Sequence, residues 1–255
     1  MKDLFKLDDK VAVVIGGAGG IGKACSLALS AHGAKVVLAS RNIENLMAVA
    51  KEISVETGLE TGFFQVDTLD EESVNNLADQ VVEKYGKVDI LVNAQGLNKK
   101  GLLVDFAVED WDSLFEVNVR GVMLCCKAFG KKMIEVKNGK IINMSSVRGI
   151  RGTGGGNTAY GATKGAVDMI TRMLAAEWAP YNINVNAMAP SLVLTDTIKK
   201  AVAPERLEML AASSLFKRLG TPEEMAGACV FLASKAADFI TGQIIYIDGG
   251  LTTVG

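Results

Sequence analysis

The run Gly16-Gly17-Ala18-Gly19-Gly20-Ile21-Gly22 separates a continuous apolar stretch, Val11–Ile15, from a helical segment running from Lys23 to about Ala31. Five apolar residues without a polar break read as a strand buried on both faces. The helical segment stops at His32-Gly33, where the glycine suits a C-cap. Glycine at the joint between strand and helix allows a tight turn and lets the main chain come close to a ligand. The helix N-terminus behind it favours an anion such as a pyrophosphate. A glycine run alone is weak evidence. Between a strand and a helix it points to a dinucleotide.

The same rhythm continues along the chain. Val36–Ala39, Gly62–Val66, Asp89–Asn93, Lys140–Met144, Ile183–Ala187 and Gln243–Ile247 read as further strands. Between them Ile43–Val55, Glu71–Tyr85, Trp111–Ile134, Ala159–Trp178 and Pro222–Leu232 read as helices. Seven strands separated by crossover-length helices predict an α/β fold with a doubly wound parallel sheet of the Rossmann type, helices on both faces. Two segments interrupt the rhythm, Asn98–Asp105 and Ser191–Ser214, and are expected to be loops near a ligand. No Pro/Ser-rich linker or charge block divides the chain, so residues 1–255 are expected to form one domain with a substrate-loop insertion at about 191–214.

Charge and composition exclude several classes. Twenty-seven basic residues against 29 acidic ones leave a net charge of −2, which predicts no nucleic acid and no anionic membrane as partner. The single histidine, His32, excludes a two-histidine metal site and any Ser-His-Asp triad without it. No metal is expected. Cys25, Cys125, Cys126 and Cys229 contain no C-x-x-C pair and read as buried free thiols in a reducing compartment. Asp3, Asp8 and Asp9 fall where a signal peptide needs an apolar stretch, and no apolar run approaches the roughly 18 residues of a spanning helix. A cytoplasmic location is the expectation.

The glycine spacing is G-x-x-x-G-I-G over Gly16, Gly20 and Gly22, and other motifs follow in order. Tyr160-Gly161-Ala162-Thr163-Lys164 is a Y-x-x-x-K motif, with Ser146 fourteen residues before the tyrosine at a strand end. Asn118 stands in a helix, Asn93-Ala94-Gln95-Gly96 follows the fourth strand, Asp67 follows the third, and Pro190-Ser191-Leu192-Val193-Leu194-Thr195 approximates P-G-x-x-x-T. Along essentially its whole length the chain resembles the short-chain dehydrogenase/reductase family. Ile15 replaces a usual threonine, Ala94-Gln95 replaces Asn-Ala, and Ser191 replaces a glycine, which would stiffen the hinge of the substrate loop.

The resemblance implies an oxidoreductase that interconverts a secondary alcohol and a ketone by hydride transfer. Tyr160, Lys164, Ser146 and Asn118 are the implied catalytic residues. Tyr160 exchanges the proton of the substrate oxygen and Ser146 bonds that oxygen. Lys164 lowers the tyrosine pKa and holds the nicotinamide ribose, and Asn118 positions a water in a proton relay. Free tyrosine titrates near ~10, so a neighbouring cation is expected to bring it down. The cofactor is implied to lie against Gly16, Gly19, Gly20, Ile21 and Gly22, Asp67, Asn93 and Ala94, Tyr160 and Lys164, and Pro190, Val193 and Thr195. At the end of the second strand, Ser40, Arg41 and Asn42 stand where selective enzymes place an acid for a bare ribose hydroxyl. An arginine fork matches a 2′-phosphate and a serine hydroxyl adds a bond. NADP(H) is therefore expected, with NAD the alternative.

For the substrate, Asn93 to Lys100, Trp111 and Thr241-Gly242-Gln243-Ile244-Ile245 are similar to the gluconate 5-dehydrogenase group, implying a small-molecule sugar acid or polyol. Lys99, Lys100, Arg148 and Arg151 would attract an anion, or lie on a solvated face. A 3-oxoacyl-acyl-carrier-protein reductase is the second reading, and an inactive nucleotide-binding scaffold the third. The family resemblance further implies a homotetramer, pairing the two long helices and the last strand about twofold axes.

Overall fold

The structure is a computed structural model that describes residues 3–253. β1 (Val11–Ile15) leads through the glycine loop into α1 (Gly20–Ala31), followed by β2 (Lys35–Ser40), α2 (Ile43–Thr57), β3 (Gly62–Gln65) and α3 (Glu71–Tyr85). β4 (Ile90–Asn93) precedes α4 (Val108–Phe115), a π-helical turn over Glu116–Arg120, and α5 (Gly121–Val136). β5 (Gly139–Met144), α6 (Thr158–Trp178) and β6 (Ile183–Pro190) come next. The chain closes with α7 (Asp196–Ala201), α8 (Pro204–Ala212), α9 (Pro222–Ala233) and β7 (Ile244–Ile247).

All neighbouring strands are parallel, in the order β3-β2-β1-β4-β5-β6-β7. Strand parity builds the two layers. Ala12 and Val14 of β1, Ile90 and Val92 of β4, and Ile142 and Met144 of β5 face one core with α1, α2 and α9. Val11, Val13 and Ile15, Leu91, and Ile141 face the other, with α3, α5 and α6. A side-chain period of two on a buried strand requires apolar residues at every position, which is why these strands carry unbroken apolar runs.

The order reverses between β1 and β4, and the crevice beyond their carboxyl ends is where such sheets hold a ligand. The glycine loop and the segment from Ala94 onward leave the sheet side by side there. Gly16 N donates to the Ala39 carbonyl at 2.7 Å and Ala94 N to the Ile15 carbonyl at 2.9 Å.

Two expectations need correction. The single long helix over Trp111–Ile134 is α4 and α5 joined by the π turn. The supposed loop at 191–214 contains two helices, α7 and α8. Thr195 caps α7 by accepting from Ile198 N at 3.3 Å, and Pro204 opens α8. Neither helix buries a side chain, so neither leaves an apolar period to read.

The core between the sheet and α5 centres on Phe129, which is fully buried. Phe129→Ala is expected to lower stability by roughly 3–5 kcal/mol. Denaturant unfolding checks this: the midpoint should fall while the slope stays constant.

Candidate active site

The glycine loop is shaped for a close approach to its neighbours. Gly16 has φ +74°, and a Cβ there would stand 3.0 Å from Gln95 N. A Cβ on Gly22 would collide with the Gly16 carbonyl. Gly19, by contrast, meets nothing nearer than 3.5 Å. Gly16 and Gly19, Ser40 and Arg41, Asp67, and Ala94 line one cavity of about 330 Å³. These residues come from the carboxyl ends of four strands, and their convergence fits an extended dinucleotide across the crevice. Gly20 touches Thr195 instead, since a Cβ on Gly20 would meet the threonine Cγ2 at 2.5 Å. Ile21 lies in the first turn of α1 and Val193 is buried in an isolated bridge to Gly220, so the start of the 191–214 segment rests against the loop.

Ser146, Tyr160 and Lys164 meet beyond β5. Ser146 begins a single 3-10 turn, Val147–Gly149, and caps it by accepting from Arg148 N at 3.2 Å. Its hydroxyl donates to the Pro190 carbonyl at 3.4 Å and lies near enough to Tyr160 to act on its phenol. Tyr160 and Lys164 share a face of α6, with the amine 5.7 Å from the ring centroid. Lys164 Nζ donates to the Met144 carbonyl at 2.7 Å, which aims it back toward the sheet end. Asn118 lies in the π turn, a local widening that often marks functional positions. Its side chain accepts from Leu97 N at 2.7 Å and donates to Leu97 O at 2.8 Å and Thr163 Oγ1 at 3.1 Å.

Burial dominates the electrostatics of the pair. It pushes the Lys164 amine down to about 8, opposed by the charge of Asp168 one turn away. It pushes the Tyr160 phenol above its ordinary value, opposed by the Ser146 hydrogen bond and the charge of Arg148. The sequence led us to expect a lowered tyrosine. Burial works against that lowering, because a phenolate is costly away from water.

A family model described as enoyl-(acyl carrier protein) reductase matches residues 16–252. The chain is 39% identical to 3-oxoacyl-acyl-carrier-protein reductase of Thermotoga maritima, covering 97% of this chain and 99% of that one. It is 40% identical to the NAD-dependent glycerol dehydrogenase of Listeria innocua, covering 97% and 96%. Its fold matches a crystal structure of gluconate 5-dehydrogenase from Burkholderia cenocepacia in complex with NADP and tartrate, with TM-score 0.94, 34% identity and 99% of both chains. The chain belongs to the short-chain dehydrogenase/reductase family. It is an oxidoreductase of CH–OH groups, and the family works with a nicotinamide dinucleotide.

Several of the residues expected at the site of this dehydrogenase/reductase also carry bonds inside the chain. Asn42 caps α2 by accepting from Asn45 N at 2.9 Å, and Asn45 lines the cavity in its place. Asn93 shares the inward parity of Leu91. It is fully buried, donates to Asn143 Oδ1 at 2.9 Å and to the Cys126 sulfur at 3.3 Å, and does not line the cavity. The Asn118 side chain is committed to Leu97 and Thr163, so what it holds is the loop after β4. Lys99 is paired with Asp110 at 2.5 Å and bonds Ser113 at 3.1 Å. Asp168 escaped notice in the sequence. It is buried, one of its oxygens has no partner, and only its i+4 spacing from Lys164 hinted at a link. The four cysteines are free and buried, and among the described residues no His/Cys/Asp/Glu group fit for a metal and no membrane-length apolar helix occurs.

Asn93→Ala is expected to leave the Asn143 amide oxygen short of a donor and to cost about 1–3 kcal/mol of stability. The KM for the dinucleotide should stay within about twofold of wild type in the folded variant. A large rise in KM without loss of stability would return Asn93 to the cofactor site.

Proposed function

We propose that this enzyme interconverts a secondary alcohol and a ketone on a sugar acid or polyol, with NADP(H) as cofactor. The observation that carries the reading is Tyr160 beside Ser146 and one helical turn from Lys164, whose amine lies close behind Gly96, a residue that lines the cavity walled by the glycine loop. The bound dinucleotide supplies or accepts the hydride. Tyr160 holds the proton that the substrate oxygen gains or loses. Ser146 bonds that oxygen and orients it, and Lys164 brings a positive charge near the phenol. Asn118 fixes the Leu97 segment against α6.

Tyr160→Phe keeps the ring and removes the proton, so kcat should fall roughly 10²–10⁴-fold while the dinucleotide still binds. Retention of a tenth of the wild-type rate would exclude Tyr160 as the acid. Lys164 loses its proton as pH rises through about 8. Ketone reduction uses both the protonated phenol and the lysine charge, so its kcat/KM is expected to decline above that pH.

Ser40 and Arg41 support the choice of NADP(H), since both line the cavity and Arg41 is exposed to a ligand there. The Gln65 amide holds the Arg41 carbonyl at 2.8 Å and steadies the loop. Charge-assisted bonds to a 2′-phosphate should favour NADPH over NADH by roughly tenfold or more. Ser40→Asp with Arg41→Ile should reverse the preference, because the new carboxylate repels the phosphate and accepts from a bare hydroxyl. Steady-state kcat/KM with both cofactors checks this.

The alternative of 3-oxoacyl-acyl-carrier-protein reduction has support from the Thermotoga maritima relative and from exposed Leu102, Leu103 and Val104 on the loop after β4. Turnover of an acetoacetyl thioester well above that of every sugar acid and polyol would select it. Assembly as a homotetramer has support from an apolar groove of about 660 Å³ between α5 and α6, where Met123, Met169 and Met173 are exposed. Light scattering should give four times the chain mass, and Met173→Asp should lower it.

A further inference from the structure

Beside the 3-10 turn that follows Ser146 lies a second cavity, about 410 Å³, separate from the one walled by the glycine loop. Arg148 and Arg151 both line it, together with Thr153, Asn157 and Thr158, and no acidic residue does. Its floor is the glycine face of α6, Gly161 and Gly165. The turn lies directly on that face, since a Cβ on Gly161 would stand 3.1 Å from the Arg148 carbonyl.

The two arginines are not neutralised inside the chain. Among the described residues no carboxylate comes within ion-pair distance of either one. Arg148 Nη1 is shielded from water and has no hydrogen-bond partner. A guanidinium with neither a counter-ion nor an acceptor inside the chain keeps its charge and its remaining donors for an anion. Arg151 donates to the Leu251 carbonyl at 2.9 Å, which ties the turn to the C-terminal segment and leaves its charge unopposed. The N-cap of α6, Asn157, makes no side-chain cap bond. The first turn of this 21-residue helix therefore adds its own positive end to the cavity. Burial and, after it, repulsion from Arg151 work against the Arg148 charge, and the charge of Arg148 in turn acts on Tyr160.

We propose that Arg148 is a specificity-determining residue, which receives the carboxylate of an acidic substrate in this cavity while the substrate's reacting carbon lies at Tyr160. The inference rests on the alcohol–ketone reading of the site and narrows it to substrates that carry an oxyanion. A guanidinium fork fits carboxylate and phosphate alike, so the test includes both sources. Lys99, with its amine held by Asp110 and Ser113, has no part in it.

The kinetic test compares gluconate, glucitol and a hexitol phosphate with the full-length enzyme and its Arg148→Gln and Arg148→Lys variants. In Arg148→Gln the ratio of kcat/KM for gluconate to that for glucitol should fall tenfold or more, chiefly through the KM of gluconate. Arg148→Lys, which keeps the charge without the fork, should restore part of the ratio. An equal loss on both substrates, or no change on either, would overturn the proposal. A ratio that collapses only for the phosphate ester would overturn the carboxylate assignment. Calorimetric titration of gluconate into the same proteins separates failure of the inference from failure of the reading it rests on. Gluconate binding that Arg148→Gln abolishes, in an enzyme that turns over none of the three compounds, would sink the reaction assignment and keep the cavity. Glucitol turnover without gluconate binding in wild type would do the reverse.

Discussion

The turn after β5 lies against α6 at three glycines, Gly149, Gly161 and Gly165, and the geometry of the site follows from that contact. A Cβ on Gly149 would stand 2.6 Å from Asp168 Oδ2 and 3.1 Å from the Lys164 carbonyl. One on Gly161 would press the Arg148 carbonyl, and one on Gly165 would reach the Gly149 carbonyl at 3.4 Å. Main chain against main chain leaves little room to slide, because close-packed interiors do not deform gradually. Ser146, at the start of the turn, is therefore held at a fixed position relative to Tyr160 and Lys164. The sheet anchors that same start of the turn: Ser145 N donates to the Met188 carbonyl at 2.7 Å, and Lys164 reaches across to the Met144 carbonyl.

A second clamp sets the loop after β4. Asn118 engages both backbone groups of Leu97, and its amide also donates to Thr163, which itself donates to the Tyr160 carbonyl at 2.7 Å. The π turn brings Asn118 out of register with an ordinary helix and into that position. One asparagine thus couples the wall of the cofactor crevice to the helix that carries the tyrosine. Asn93 and Asn143 form a parallel buried pair behind it, extended by the bond from Asn143 to Thr171 at 3.0 Å. Buried amides of this kind are costly unless satisfied, and in return they hold strands and helix in a single register.

Much of this was readable in the chain before any coordinates. The buried strands announce themselves because both of their faces meet a core. The four-residue spacing of Tyr160 and Lys164 is a helical face whatever surrounds it. What could not be read depends on direction or on distant partners. Asn93 was expected at the cofactor from the resemblance of Asn93-Ala94-Gln95-Gly96 to the family's segment, and its parity with Leu91, which no motif records, turns its side chain into the layer beneath α5. Asn42 follows a strand that reaches the cavity, but a side chain able to cap Asn45 N is drawn to the helix end. Lys99 could be judged free only without Asp110 eleven residues on. Helices α7 and α8 bury nothing and so leave no period, and the π turn has no compositional signature apart from the helix around it.

The electrostatic balance of the site is a consequence of the same close packing. The burial of Lys164 and the partial burial of Tyr160 drive both toward their neutral forms, the phenol upward and the amine downward. A neutral pair would hold a proton but would not move it readily at neutral pH. The surrounding charges act against burial from two sides. Asp168, itself buried and short of a partner, favours the charged amine. Arg148 and the Ser146 hydroxyl favour the phenolate. Each of these groups is set by the turn-on-helix contact: Asp168 beneath Gly149, Arg148 and Ser146 within the turn. Bringing the turn closer would deepen the desolvation, and moving it away would take the compensating charges with it. The proton-transfer pair is therefore tuned by the same glycines that position it.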